Sequence, residues 1–450
     1  MIANGWIDGV FGVSWILLSL AATLTLIPAY FESRRPAPRF ARHVTLPVIA
    51  LAGLIARLIP ALIFNRGATF DITSYHLVGG VVLAGQDVYT SPLVAGRYPY
   101  LPLHLWLSGL EVALSRGTGA LLPFVVLVKI PPVLADAAIG PLIAAGLARR
   151  GVARQTALTA GMIYALNPVS ILVTSFHGQF DAIPLLCALV AWYALGAARG
   201  GRLTRSTLVV AGLALGLAVL VKTWPLLILP AFVLLPRSWA QRILLAVMAA
   251  VPPAVATAVY LAAYHTPLRA FAGRVLGYSS LIDWWGIGLS VGILGPTHLI
   301  TPAVASALGK VTELAILLVA LAFLAWRRHR DIEYNIVTLI LIFFVISAGF
   351  TVEYLIWIVP FLMLSPRTPA WLAASYLTLS ACALLVMYMI GNMMYRFLHL
   401  SHGYALAVLF FVPVYLLAVW WLLKYQLPLA RPVPAEAEAP RVAGCGLHAR

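Results

Sequence analysis

Long apolar stretches recur from Trp15 to Leu423, separated by short polar segments. Many approach the roughly 20 residues that an α-helix needs to cross a hydrocarbon core. The pattern predicts spans over 9–30, 44–64, 120–147, 155–175, 182–198, 206–222, 224–236, 243–264, 308–326, 334–350, 354–366, 370–391 and 404–424, about thirteen in all. The stretch 224–236 is short for a crossing, so it is expected to be tilted, broken or extended. The fold class that follows is an all-α polytopic membrane protein, with one transmembrane domain over residues 1–425.

Charge orients this bundle. Arg34, Arg35, Arg39 and Arg42 follow the first span, Arg149, Arg150 and Arg154 the third, and Arg199, Arg202 and Arg205 the fifth. Every second loop continues the series, and these loops hold roughly 20 of the 30 lysines and arginines. By the positive-inside rule they are cytoplasmic, which puts the N-terminus outside and the C-terminus inside. The net charge of +16 is therefore spread over loop staples rather than gathered into a basic face, and nucleic acid is not an expected partner. The long loops, 65–119 and 265–307, fall on the extracytoplasmic side, where function is expected.

Composition narrows the class. The chain is 62% hydrophobic and 10% charged, too poor in charge for the surface of a soluble domain. Cys187, Cys382 and Cys445 have no metal-ligand spacing and form no disulfide framework. There is no Asn-x-Ser/Thr sequon, which favours a prokaryotic cell membrane, and the N-terminus has no cleavable-signal pattern. The tail, 426–450, is rich in Pro, Ala and Glu and is expected to be a disordered cytoplasmic segment.

Within the first long loop, 72–84 and 101–115 are apolar but too short to cross, and they predict two helices lying in the membrane interface. Asp71 precedes the first of them. It reads either as the N-cap of a helix starting at Ile72 or as a carboxylate whose pKa rises near lipid, toward a useful general base. In "NPVSILVTSFHGQFDAIP", residues 167–184, His177, Gln179 and Asp181 interrupt two apolar runs. They read as a local cap and pair, or as ligands of a polar substrate. One His and one Asp supply too few ligands for zinc. Lys129 and Asp136 lie seven residues apart on one helix face, too far for a direct pair, so each needs another partner. Arg57, within the second span, also needs a partner or a cavity.

The segment "NPVSILVTSFHGQFDAIP" resembles the Asn-Pro…His-x-Gln-Phe/Tyr-Asp/Asn motif of the GT-C membrane glycosyltransferases. It is most similar to the prokaryotic proteins grouped with GPI mannosyltransferase II, and more distantly similar to the ER glucosyltransferases that extend lipid-linked oligosaccharide. The order of motifs agrees: Asp71, then Tyr98-Pro99 where those ER enzymes carry Tyr-Pro-Pro, then Lys222 with Pro225 and Pro230. Arg269, Arg274, Trp284 and Trp285 follow in the second long loop, and Glu353 stands in a partly matched His-Glu-Lys motif. The resemblance spans Val44 to Leu364 and implies a GT-C-like bundle that transfers a sugar from polyprenyl phosphate with inversion.

On this resemblance the expected activity is transfer of a hexose, mannose before others, to an extracytoplasmic lipid-linked glycan or protein. Asp71 is the expected base. Expected substrate ligands are His177, Gln179, Asp181, Lys222, Arg97, Tyr98, Arg269, Arg274, Trp284, Trp285, Glu353 and Arg57, the cations opposing the phosphate. For Trp284 and Trp285 an interfacial belt is the competing reading. No cofactor is expected, and a divalent cation bridging Asp71 and phosphate ranks below metal-free transfer. Besides donor and acceptor, the expected partners are membrane lipids. The alternative function is a transporter or flippase of lipid-linked sugars, which paired, repeated halves would favour; the chain shows no such repeat.

Overall fold

The structure is a computed structural model that describes residues 2–32, 44–64, 70–119, 121–196, 203–277, 285–289, 301–326, 331–365, 368–391 and 403–429. Among these residues every regular element is helical. The principal helices, in order, are α1 (Ile2–Phe31), α2 (Leu46–Ile63), α3 (Phe70–Leu83), α4 (Pro102–Gly117), α5 (Ile130–Arg149), α6 (Arg154–Ala165), α7 (Ala182–Gly196) and α8 (Arg205–Val221). They continue as α9 (Trp239–Tyr264), α10 (Leu268–Leu276), α11 (Pro302–Trp326), α12 (Ile332–Ile346), α13 (Val359–Leu364), α14 (Ala370–Leu385) and α15 (Gly403–Trp421).

Among the described residues, eight helical paths are long and apolar enough to cross a membrane, including Phe124–Arg149, Arg154–His177 and Trp239–Tyr264. Shorter apolar helices include α7, α8, α12 and the path Val352–Leu364. The expected span 224–236 is instead two short turns, Trp224–Leu227 and Leu229–Val233, with Pro225 and Pro230 in their first turns. Helix α11 starts at Pro302, ahead of the expected 308, and the last helical path runs to Leu429, into the expected tail. Residues 430–450 lie outside the described residues.

Side-chain exposure shows which helices line the outside. Along α9, Ile243, Val247, Val251, Val255 and Val259 are all exposed and four apart, a continuous apolar stripe that suits lipid and not water. The path from Arg154 to His177 is the reverse: nearly all of it is buried at the centre. It packs on α5 so closely that a Cβ on Gly140 would stand 2.8 Å from the Gly161 carbonyl oxygen, and one on Gly161 2.6 Å from that of Gly140. Small residues are what let two helix backbones meet this way.

Two ionised residues sit inside this centre. Arg57 of α2 and Asp136 of α5 are both fully buried and joined through Arg57 Nε at 2.6 Å. The other guanidinium N–H groups donate to the carbonyls of Gly53 (3.0 Å), Ala165 (2.6 Å) and Tyr164 (3.2 Å) and to Ser170 Oγ (2.7 Å). Asp136 also accepts from Tyr164 (2.6 Å), Ser170 and Thr174 (2.9 Å). Lys129 donates to the Phe64 carbonyl at 2.9 Å. Each polar side chain that the sequence left in need of a partner finds one on another element. Arg57 is thereby committed to the frame, with its N–H groups engaged inside the bundle.

Helices α3 and α4 occupy the first long loop, where the two interfacial helices are expected. They pack tightly: a Cβ on Gly79 would come within 2.4 Å of the Ser108 carbonyl oxygen. The buried face of α4 carries His104, Ser108 and Glu111 at helical spacing. Among the described residues, both carboxyl oxygens of Glu111 lack a hydrogen-bond partner. Burial pushes its pKa from 4.5 up to about 8, so the group is held neutral.

Two predictions follow from this packing. Arg57→Met strands the Asp136 carboxylate in the core and is expected to cost about 3–5 kcal/mol, read as a lower midpoint of thermal unfolding in detergent. The pair Arg57→Met with Asp136→Leu is expected to recover most of that loss, because it removes the stranded charge as well. For Glu111, the folded state keeps a proton that the unfolded chain loses between pH 4.5 and about 8, so stability falls as pH rises through that window. Glu111→Gln is expected to abolish this slope, worth on the order of a few kcal/mol by pH 8.5, in unfolding curves recorded from pH 5 to 9.

Candidate functional site

The site is built where the central path ends. Asn167 breaks the helix, and its side chain accepts the Val169 N–H at 3.0 Å, capping a new turn that Pro168 opens. The turn widens into a π-helical segment, Leu172–His177, and is closed by Gly178 in the left-handed conformation, φ 80°. A Cβ there would meet Ile72 Cδ1 at 2.8 Å, so both the backbone and the space require glycine. Ser170 and Thr174 face Asp136, and His177, on the same face, is delivered to Asp71.

Asp71 lies inside the first turn of α3, which begins at Phe70, so it is not the N-cap of a helix starting at Ile72. Its Oδ2 is 3.0 Å from His177 Nε2 and accepts from Gln179 Nε2 at 2.9 Å. The Gln179 amide is oriented from its other end, because Tyr75 donates to Oε1 at 3.1 Å. Oδ1 of Asp71 makes no hydrogen bond to the described residues, and the carboxylate is about one-third exposed, at 32%. The expected rise in its pKa is reversed. Burial does push it up, but the hydrogen bond from His177 with whatever positive charge that ring carries, the charge of Lys222 and the Gln179 hydrogen bond outweigh burial and hold Asp71 below the ordinary value.

Deeper in, Asp181 is fully buried. Its Oδ2 accepts from Lys222 Nζ at 2.7 Å and its Oδ1 from Trp357 Nε1 at 2.7 Å. Lys222 also reaches Glu353 Oε1 at 3.5 Å and sits over the rings of Phe180, Tyr100 and Tyr354. The local His177–Asp181 pair allowed by their spacing does not form, and each turns to a different helix. Lys222 is neutralised by two carboxylates, and Asp181 has both oxygens engaged.

Other expected residues lie apart from this cluster. The Tyr98 hydroxyl is buried and donates to the Leu101 carbonyl at 3.0 Å, locking the loop. Arg274 donates to the carbonyls of Val94 (3.4 Å) and Tyr89 (3.3 Å). Arg269 is exposed on α10. Trp285 is a core residue: it donates to the Phe344 carbonyl at 2.7 Å and stacks on Phe350 with centroids 3.8 Å apart. Trp284 lies outside the described residues. Arg97 stands at the edge of the site, donating to Ser74 Oγ at 3.1 Å, one turn along α3 from Asp71, with its guanidinium over Phe70.

Besides Lys129, which the sequence singled out, the structure adds residues that the sequence did not mark. Tyr388, from a π turn after α14, places its hydroxyl 2.5 Å from His177 Nδ1. Trp357 reaches Asp181, and its position four residues after Glu353 was the available signal. Lys129 lies beside Gly178 and, among the described residues, engages only the Phe64 carbonyl. His104 stacks on Phe180 with centroids 3.8 Å apart, and burial, reinforced by Lys222, depresses its pKa to about 3. Among the described residues, no cluster of three or more His, Cys, Asp or Glu is arranged to hold a metal ion.

A comparison with functionally curated proteins finds no match. The family model that matches is that of glycosyltransferase family 87, over residues 99–352. That is more than half of the chain, and it takes in His177, Gln179, Asp181 and Lys222. This all-α membrane protein therefore belongs to glycosyltransferase family 87, in keeping with a membrane glycosyltransferase of the GT-C type.

Proposed function

We propose that this glycosyltransferase moves a hexose, mannose before others, from a polyprenyl-phosphate donor to a hydroxyl of an extracytoplasmic lipid-linked glycan or protein. In this reading the chain lies in a prokaryotic cell membrane with its site on the outer face, as its loop charges suggest. The observation that supports it most is the carboxylate of Asp71. One oxygen is held by His177 and Gln179, and the other is left for a substrate proton.

The chemistry runs as a single displacement. The acceptor hydroxyl gives its proton to Asp71 Oδ1 while its oxygen bonds to the anomeric carbon. The bond from that carbon to the phosphate oxygen breaks on the opposite face, and polyprenyl phosphate leaves with the electron pair. The configuration inverts. A lipid-borne phosphate reaches the protein at membrane depth, where its charge needs a cation. Lys222 is occupied by Asp181 and Glu353, so this role passes to Arg97 and Lys129, which have no carboxylate partner among the described residues. With these cations present, transfer is assigned as metal-independent, ahead of a bridging divalent ion.

The test uses purified protein in nanodiscs with radiolabelled polyprenyl-phosphate mannose, glucose or arabinose and a membrane-lipid extract as acceptor. Asp71→Asn is expected to lower kcat by about 10²–10⁴ with donor affinity retained. Full activity in Asp71→Asn would remove it as the base. Movement of the labelled lipid across the bilayer without a new glycoside would favour the flippase reading instead.

A further inference from the structure

His177 is held at both ring nitrogens. Nε2 faces Asp71 Oδ2 at 3.0 Å, and Nδ1 faces the Tyr388 hydroxyl at 2.5 Å. Both His177 and Tyr388 sit on π-helical turns, in Leu172–His177 and Val386–Gly391. Such turns re-aim side chains and recur at functional sites. Tyr388 lies outside the matched residues 99–352, on a part of the chain that carries none of the sequence motifs discussed above.

The two contacts constrain the proton inventory. An ionised carboxylate only accepts hydrogen bonds, so Nε2 must carry the proton that faces Asp71. A neutral imidazole then leaves Nδ1 as an acceptor, and the Tyr388 O–H is the donor that fills it. A second proton on the ring would require the Tyr388 hydroxyl to turn and accept from Nδ1–H, giving up the hydrogen bond that it donates. It would also place a full positive charge against Asp71 and weaken it as a base. Charges of both signs stand near the ring: Asp71 from α3 and Glu353 from the turn before α13, and Lys222 at the end of α8 and Lys129 ahead of α5.

We propose that Tyr388 is a positioning residue: its hydroxyl donates to His177 Nδ1 and keeps the imidazole neutral, with Nε2–H directed at Asp71. Tyr388 touches neither donor nor acceptor and acts through His177. The kinetic part of this inference rests on the proposed function, with Asp71 as base. The tautomer itself does not, and it is measured separately.

The first measurement is magic-angle-spinning NMR of the wild-type protein in nanodiscs with 15N-labelled histidine. The His177 signals are assigned by their loss in His177→Gln. At pH 7 the expected spectrum has a protonated Nε2 and an unprotonated, hydrogen-bonded Nδ1. In Tyr388→Phe the protonated fraction of Nδ1 is expected to grow. A ring already doubly protonated in the wild type, or one protonated only at Nδ1, would overturn the proposal whatever the reaction proves to be. The second measurement is the pH–rate profile of Tyr388→Phe. Its acidic limb is expected to move up by roughly one unit, so that activity falls about tenfold near pH 6 and returns toward wild type at alkaline pH, with donor KM unchanged. A loss equal at every pH would mean a merely structural tyrosine and would sink the idea. If the NMR arm holds and no transfer occurs with any polyprenyl-phosphate sugar, the donor assignment fails while the tautomer assignment stands.

Discussion

A fully buried ion pair governs this structure. Arg57 and Asp136 would each be costly to bury alone, and pairing offsets only part of that cost unless the remaining N–H groups and lone pairs are also satisfied. Here all five guanidinium N–H groups have acceptors, and Asp136 gathers Tyr164, Ser170 and Thr174 besides Arg57. The partners come from α2, α5, α6 and the turn after it. Their relative positions are therefore set by hydrogen bonds as well as by the close contact of Gly140 and Gly161. His177 stands one turn beyond Thr174 on the face that the knot fixes, so the site inherits its geometry from a fully buried pair.

Charge is then divided by depth. Three carboxylates share the neighbourhood, but they are not equivalent. Asp181 is sealed between Lys222 and Trp357, and Glu353 lies at the far side of the same lysine. Asp71 alone combines partial exposure with an oxygen that no described residue binds. Environments that separate like groups also separate their roles. The buried lysine, with its aromatic surround, is best understood as the counter-charge that lets two acids remain next to a third.

The sequence made the fold class legible, because hydropathy and the arginine staples depend on local composition alone. The two helices of the first long loop were legible for the same reason. Partners across the bundle were not. Arg57 declared its need for a counter-ion, but Asp136 lies 79 residues on, and no periodicity links them. The pKa direction of Asp71 was misread because lipid proximity is visible locally, whereas His177, Gln179 and Lys222 arrive from distant segments. Aromatic residues were the least legible of all. Trp285 reads as a sugar platform or a belt residue and is instead packed on Phe350, while Tyr388 sits in an apolar run that gives no hint of His177.

The family match and the geometry divide the site in an informative way. Residues 99–352 contain His177, Gln179, Asp181 and Lys222, the fixed inner wall. Asp71 comes from α3, ahead of that range, and Tyr388 from the turn after α14, beyond it. The inner wall alone has a histidine but neither of the groups that decide its protonation. Helix α3 is held by its tight packing on α4 and by the fit of Ile72 over Gly178, so the first long loop sets where the Asp71 carboxylate stands relative to His177. The π turns at both His177 and Tyr388 are the local adjustments that bring three separate helices to one imidazole. The site is assembled from the whole bundle rather than carried by one motif, which is why the motif around His177 could announce it without naming Asp71.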